Sequence, residues 1–532
     1  MNMKRLGIIS AVILCLVANA FAAPQTNRPA ELLPGNHAFT YPPPEGCALN
    51  QDFTVKVRTP AGDWQDVAAY VVKVDAVIGT SHTPQNSSLA YFDFAGVVDV
   101  SITLNRGNIK SARVRPLSFG IAPHVNGNTI SFSLSEPRNL SVEVNGDIFR
   151  NLQLFANPIE TNRPASTDTN VFYFGPGIHQ LERGRLSVPS GKTVYIAGGS
   201  IVRGQLVCHS VDNVHILGRG MVYQSESPGG VRTSNSTNVA RSRGGLSRGG
   251  VQIVNSTNVV VSGIVVVPNG NTVLVGQSQN VTIGGIKSIS CGGNYDGIDI
   301  FSSSNVVIED VFMRNSDDCI AIYGHRRNFY GNVQNIAVRN STLWADVAHP
   351  ILVGTHGDTP NPDTLDHIQF SNLDILDHKE PQIDYLGCMS LNAGDGNLIR
   401  NVRFENIRVE DFRQGQLVNL RVFYNRKYNT SPGRGIENVY FKNITYYGSH
   451  SENSVIAGYD DARKVRNVVF ENLVINGTLI TDRMSMPGWY KTSDMARFFV
   501  GEHVEGIEFR APGGAQAASP PSTPVAKQKV AP

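Results

Sequence analysis

One short pattern returns along most of the second half of this 532-residue chain: an asparagine followed by alternating β-branched or aromatic residues. It reads Asn213-Val214-His215-Ile216, Asn258-Val259-Val260-Val261, Asn280-Val281-Thr282-Ile283 and Asn305-Val306-Val307-Ile308. It continues as Asn335-Ile336-Ala337-Val338, His367-Ile368-Gln369-Phe370, Asn401-Val402-Arg403-Phe404, Asn438-Val439-Tyr440-Phe441 and Asn467-Val468-Val469-Phe470. The steps are 45, 22, 25, 30, 32, 34, 37 and 29 residues. Side chains of a strand alternate faces with period two, so each motif is a strand with one buried side. The shortest steps fit one coil of a solenoid; the step of 45 is close to two coils, and the others are one coil plus a loop. A coil this short cannot bury its apolar side alone, so coils must stack on one another. The pattern predicts an all-β chain whose main body is a right-handed parallel β-helix, with asparagines stacked at one corner and hydrogen-bonded along the axis.

The rest of the chain divides around that body. Met1-Asn2-Met3-Lys4-Arg5 precedes an apolar run from Leu6 to Ala18, and Ala20-Phe21-Ala22 is an A-x-A cleavage pattern. Residues 1–22 are therefore expected to be a signal peptide, the run being too short for an anchor. No cysteine stands at the cleavage point to carry a lipid. A secreted protein, extracellular or periplasmic, with no membrane anchor is the expectation. Residues 23–160 carry short alternating strands, such as Phe53-Thr54-Val55-Lys56-Val57, broken by turns such as Asn126-Gly127-Asn128 and Asn145-Gly146-Asp147. That spacing predicts a β-sandwich that caps the solenoid, with no cluster of catalytic residues of its own. Residues 161–511 form the β-helix, and the Ala/Pro/Ser/Gln-rich residues 512–532 a disordered tail. The net charge of +2, without a long basic run, gives no reason to expect a nucleic-acid partner. Five cysteines remain after the leader, at spacings that match no zinc motif, and are read as buried thiols. A capped solenoid of this size is expected to be a monomer.

Within the repeat, Asn294-Tyr295-Asp296-Gly297-Ile298-Asp299-Ile300 and Asn315-Ser316-Asp317-Asp318-Cys319-Ile320-Ala321-Ile322 echo each other. Aligning Ile298-x-Ile300 with Ile320-x-Ile322 sets Asp296 on Asp318, 22 residues later, with Asp317 alongside. Coils lie about 4.8 Å apart, so two carboxylates stacked this way repel unless a proton or a water joins them. A purely structural chain has little use for that, although one carboxylate could cap a turn and another pair with Arg314, Arg326 or Arg327. Strand alternation sends Asp317 and Asp318 to opposite sides, so both reach one groove only if the chain bends there. The chemistry that wants such a set is inverting glycoside hydrolysis, in which an acid protonates the leaving oxygen and a carboxylate activates water, the two about 6.5–9.5 Å apart. Asp317 suits the acid, and the Asp296/Asp318 pair the water.

Asn294-Tyr295-Asp296-Gly297, Asp317-Asp318-Cys319 and Ala348-His349-Pro350 resemble, in order and spacing, the N-x-D, D-D-C and G-H-G motifs of the polygalacturonases of glycoside hydrolase family 28. That resemblance implies an inverting parallel β-helix with Asp317 as acid, Asp296 and Asp318 orienting water, and His349 tuning the acid. Two positions depart from it. Pro350 follows His349 where the family has glycine, and the basic R-I-K motif expected some 35 residues on is replaced by Lys379-Glu380-Pro381-Gln382-Ile383-Asp384-Tyr385. A sandwich ahead of the helix looks more like the related dextranase and isopullulanase family 49, which acts on neutral glucans. Expected sugar contacts are Asn294, Asp299, the residues Tyr323, His325, Arg326 and Arg327 on a loop past the paired aspartates, and His356 and Tyr385. Asp299 could equally be solvated. Loops at 232–248, 324–331 and 357–366 are expected to wall the groove. A polysaccharide is the expected partner, with no cofactor and no metal. Two other readings stand beside this one: a polysaccharide lyase on the same fold, with Ca²⁺ held by the aspartates, and a non-catalytic glycan-binding β-helix.

Overall fold

A computed structural model of the chain describes residues 35–78, 81–161, 163–224, 249–382, 384–385 and 387–513. The expected signal peptide, the loop at 232–248 and all but the first two residues of the expected tail lie outside the described residues. From Val171 to Arg510 a single 29-stranded sheet winds through parallel pairings, with one antiparallel hairpin between Val465–Ile475 and Thr478–Ile480. The fold is a parallel β-helix. Its interior is one continuous apolar column, in which Val259, Val281, Val306, Ile336, Ile368, Val402, Val439 and Val468 stack coil upon coil. Phe370, Phe404, Phe441, Phe470 and Phe509 run beside them as a stack with ring centroids 4.6–5.1 Å apart.

The recurrent asparagine has a backbone reason. Asn213, Asn258, Asn280, Asn305, Asn335, Asn401, Asn438 and Asn467 all sit at φ between 54° and 57°, the left-handed region that asparagine tolerates better than other side-chain-bearing residues. From Asn280 on, the amides bond from coil to coil: Asn280 donates to Asn258 at 3.2 Å, Asn305 to Asn280 at 3.1 Å and Asn335 to Asn305 at 3.0 Å. His367 interrupts the ladder, and Asn401 donates instead to Asp366 at 2.8 Å. A second ladder runs from Asn340 through Asn372 and from Asn406 through Asn443 to Asn472.

Ahead of the helix, two antiparallel-rich sheets face each other across a core that includes Val55, Phe92, Val100, Ile130, Leu140 and Leu154. The outer face of one of them carries Val72, Val74, Leu89, Tyr91 and Phe155. These pack on Ile201, Met221, Val265, Ile289, Phe312 and Trp344 of the helix. Trp344 lies between the guanidinium groups of Arg314, at 4.0 Å, and Arg115, at 4.9 Å. Arg314 pairs with Asp346 at 3.0 Å and donates to Asn151 of the sandwich. The sandwich is thus joined to the helix by buried apolar area and by charge. Of the cysteines expected to be buried, Cys208, Cys319 and Cys388 are, whereas Cys47 and Cys291 are half-buried, and no helix among the described residues is long and apolar enough to cross a membrane.

Candidate active site

The strands Ile298–Phe301, Ile320–Tyr323 and Ile351–Gly354 stack in register, Ile298 on Ile320 on Ile351. Counting back two residues puts Asp296, Asp318 and His349 in one column on three successive coils. The column is bonded as well as stacked: Gly297 N–H donates to Asp318 O at 2.8 Å, and Cys319 N–H to His349 O at 2.8 Å. Gly297 is needed here for room, because a Cβ would lie 2.2 Å from the Cys319 carbonyl oxygen and 2.8 Å from Asn315 Oδ1. Forcing an extra methyl into a packed site costs about 1–3 kcal/mol, so Gly297→Ala should lower the melting temperature and the activity together. An unchanged thermal unfolding curve would contradict this packing.

The chain bends between Asn315 and Ile320, and the bend brings Asp317 round to the same side as Asp318. One carboxylate oxygen from each of Asp296, Asp317 and Asp318 lies within 4.8 Å of the other two. This is tighter than the separation of about 6.5–9.5 Å expected of an inverting pair. Asp296 and Asp318 stand on adjacent rungs, and Asp317 and Asp318 are consecutive residues, which brings their nearest oxygens together. Arg314, one of the cations considered as a structural partner, is committed to Asp346 instead.

The three acids differ in their surroundings. Asp318 is buried and well supplied with donors: His349 N–H at 3.1 Å and His349 Nδ1 at 2.7 Å on Oδ1, and the Tyr323 hydroxyl at 3.3 Å on Oδ2. Asp317 is half-buried, and its Oδ1 accepts the Asp318 N–H at 3.1 Å. Burial first, and then the neighbouring Asp318, push its carboxyl up to about 7. Asp296 is raised well above the ordinary range by burial and by Asp299, Asp317 and Asp318, with Arg327 opposing. His349 is fully buried with Nδ1 on Asp318 and Nε2 2.8 Å from the Tyr385 carbonyl. A carbonyl can only accept, so both ring nitrogens act as donors and the ring is an imidazolium. Burial pulls its pKa down, but Asp318 and Glu380 outweigh that and hold it at about 9.

Several expectations change here. His349 hydrogen-bonds Asp318, not the expected acid Asp317, on which it acts only through space. Tyr323 is not on a loop: it ends the strand Ile320–Tyr323, is buried and reaches Asp318. Asp299 is not solvated; it is buried beside the column, takes the Asn271 amide on Oδ2 and leaves Oδ1 without a partner, and burial pushes it up to about 7. Asp384 is exposed and pairs with Arg421, away from the column. Tyr385 and His356 pack against residues of the column. Tyr385 meets His349 edge-on at 4.5 Å and stacks on Tyr428 at 4.9 Å, while His356 lies edge-on to Tyr323 at 5.2 Å. Burial and Arg326 depress His356 to about 4, so it stands in the site as a neutral ring. Arg326 is half-buried 5.9 Å from the Tyr323 ring, Arg327 is exposed, and both act on Asp299. His325 lies 3.9 Å from Asp358, which joins the two expected loops at 324–331 and 357–366, and Asn294 is exposed at the rim. Glu380, noted in the sequence only as a missing cation, is buried within reach of both His349 and Asp317.

The family comparison is decided by extent. The profile of glycosyl hydrolases family 28 matches residues 202–487, more than half of the chain. The chain belongs to glycosyl hydrolases family 28. Among curated relatives, the probable endopolygalacturonase D of Neosartorya fischeri is 28% identical over 187 residues, covering 35% of this chain and 36% of its own length. That of Emericella nidulans is 26% identical over 187 residues, covering 35% and 33%. This family 28 chain therefore spans about one third of the length of those relatives. Among solved structures, Dex49A from Penicillium minioluteum shares the fold, with a TM-score of 0.58 at 14% identity, over 88% of this chain and 96% of that one.

Proposed function

We propose that this family 28 protein is a secreted glycoside hydrolase that cleaves a polysaccharide with inversion. Asp317 delivers a proton to the leaving oxygen, and Asp318 takes one from a water that Asp296 helps to hold. The observation that carries the reading is the unequal environment of the three close carboxylates. Asp318 has donors on both oxygens, as a proton-accepting carboxylate needs, whereas half-buried Asp317 is raised in pKa beside it. A carboxyl raised in pKa beside a carboxylate held by several donors suits an acid and a base at one site. His349 acts as the imidazolium that fixes Asp318. The leader read in residues 1–22 supports export.

The test is reducing-end release from polygalacturonate, rhamnogalacturonan, dextran, pullulan and arabinogalactan, with proton NMR of the first product formed. Inversion gives the opposite anomer to the bond cleaved. Because the carboxylates are closer than an inverting pair usually stands, retention of configuration is the outcome that would transfer Asp318 from base to nucleophile. Three oxygens within 4.8 Å also have the compactness of a cation site, which favours the lyase as the second reading. The hydrolase keeps its rate in excess EDTA and releases no ultraviolet-absorbing unsaturated sugar; the lyase does the reverse.

A further inference from the structure

The sandwich sends one hairpin to the mouth of the groove. Its strands are Ala69–Asp75 and Pro84–Ala95, paired antiparallel, and His82 stands on the connection between them. Buried Asp75 organises that connection by accepting from Val77 N–H at 3.1 Å and Thr83 N–H at 3.0 Å, and it grips His82 Nδ1. The hairpin is pinned to the helix at two points. Asp75 N–H donates to Asp346 at 3.3 Å, and Lys379 Nζ donates to the Val77 carbonyl at 2.7 Å. Lys379 is itself bridged to Ala348, the residue before His349. The ring of His82 is thereby held over the loop that leads into Asp296. Its Nε2 lies 3.3 Å from where a Cβ on Gly293 would stand. Gly292 and Ser316 exchange two hydrogen bonds of 2.7 Å, which tie that loop to the bend carrying Asp317. The Asp317 carboxylate acts on the His82 ring through space. The side chain remains 44% exposed, so a ligand in the groove can reach it.

We propose that His82 is a substrate-binding residue of the groove, its Nε2–H donating to the carboxylate of an acidic sugar beside the bond that is cut. Nδ1 is taken by Asp75, so Nε2 is the atom left to face the groove, and the bonded Asp75 carboxylate favours the charged form of the ring. An acidic sugar entering a groove lined by Asp296, Asp299, Asp317 and Asp318 finds no cation among those four and needs one from elsewhere for its carboxylate. Arg326 and Arg327 approach Asp299 from the loop at 324–331, and His82 approaches from the opposite domain. The segment 379–385 contributes buried Glu380, and its Lys379 is spent on the hairpin. The sandwich on this reading is part of the active site.

The proposal rests on the hydrolase reading, but binding tests it separately. Titrate trigalacturonate and, in parallel, isomaltotriose into full-length protein carrying Asp317→Asn, with His82 intact or changed to Ala or Lys. A lost charge-assisted hydrogen bond weakens trigalacturonate about 10-fold in His82→Ala; isomaltotriose should be unaffected and His82→Lys should recover most of the loss. In the Asp317 enzyme the same change raises KM and spares kcat. Equal affinity for trigalacturonate with and without His82, the same loss for both sugars, or no binding of trigalacturonate by the parent overturns the proposal. Failure of the hydrolase reading looks different: Asp317→Asn would then turn over polysaccharide like the wild type, and the binding comparison would still stand.

Discussion

Asp317→Asn lowers kcat about 1,000-fold, within the range a positioned general acid contributes, and leaves KM close to the wild-type value. The amide keeps the size of the side chain and can still accept the Asp318 N–H, so substrate binding and the bend at 316–319 survive. What is lost is the transferable proton. A pH profile separates this from mere damage. The wild-type rate should hold while Asp317 is protonated and fall as pH rises through about 7, the value to which burial and Asp318 push it; the residual activity of the variant should lack that limb. Stability responds to the same titration. A carboxyl whose folded pKa is raised stabilises the fold below its unfolded value near 4 and loses that contribution as pH rises through the folded value. At pH 8 the wild type must hold charge in a crowd of aspartates, and the asparagine need not. Thermal unfolding should therefore show the variant melting above the wild type at pH 8, with the gap closing towards pH 4. A variant that keeps full activity, or that loses activity and stability together at every pH, would remove Asp317 from the acid's place.

How much of this could be read beforehand depended on periodicity. The stacking of Asp296 on Asp318 was legible because one coil of 22 residues, without a loop, separates them. His349 comes 31 residues further on, past the loop at 324–331, and repeat counting alone does not align it; the motif resemblance did. The expectation of a loop at Tyr323 overlooks that Ile320-Ala321-Ile322-Tyr323 alternates, with Ile320 and Ile322 in the core and Ala321 and Tyr323 on the groove face. Following the alternation one residue further would have placed it. Asp299 alternates away from the core between Ile298 and Ile300, but its burial depends on neighbours such as Asn271 and Ala321 that only stacking brings together. Glu380 and the His82 hairpin carry no periodic mark at all. His82 meets Gly293 across more than two hundred residues and between two separate cores, a contact that comes from how one sheet docks on the other.

His349→Ala should be the most damaging single change to fold and function together. The imidazolium is completely buried between Asp318 and the Tyr385 carbonyl, with Glu380 near, and its removal leaves Asp318 a buried charge without its main donor. Breaking a buried pair from one side costs about 3–5 kcal/mol, a large part of the net stability of a typical domain. Activity should fall at least about 100-fold, because the carboxylate meant to accept the water's proton is no longer fixed. The pH dependence gives the sign that a cavity alone would not. His349 is held at about 9 against an ordinary 6.5, so its stabilising contribution is complete below pH 6.5 and disappears as pH rises through 9. The difference in melting temperature between wild type and His349→Ala should accordingly be greatest near pH 6 and shrink towards pH 10, whereas the loss from an apolar cavity would stay constant across that range. His349→Gln distinguishes the two components. It fills much of the space and can donate to Asp318, but it carries no charge. It should recover part of the stability without the slope against pH, and a variant that restored the full slope would mean that some group other than His349 titrates there.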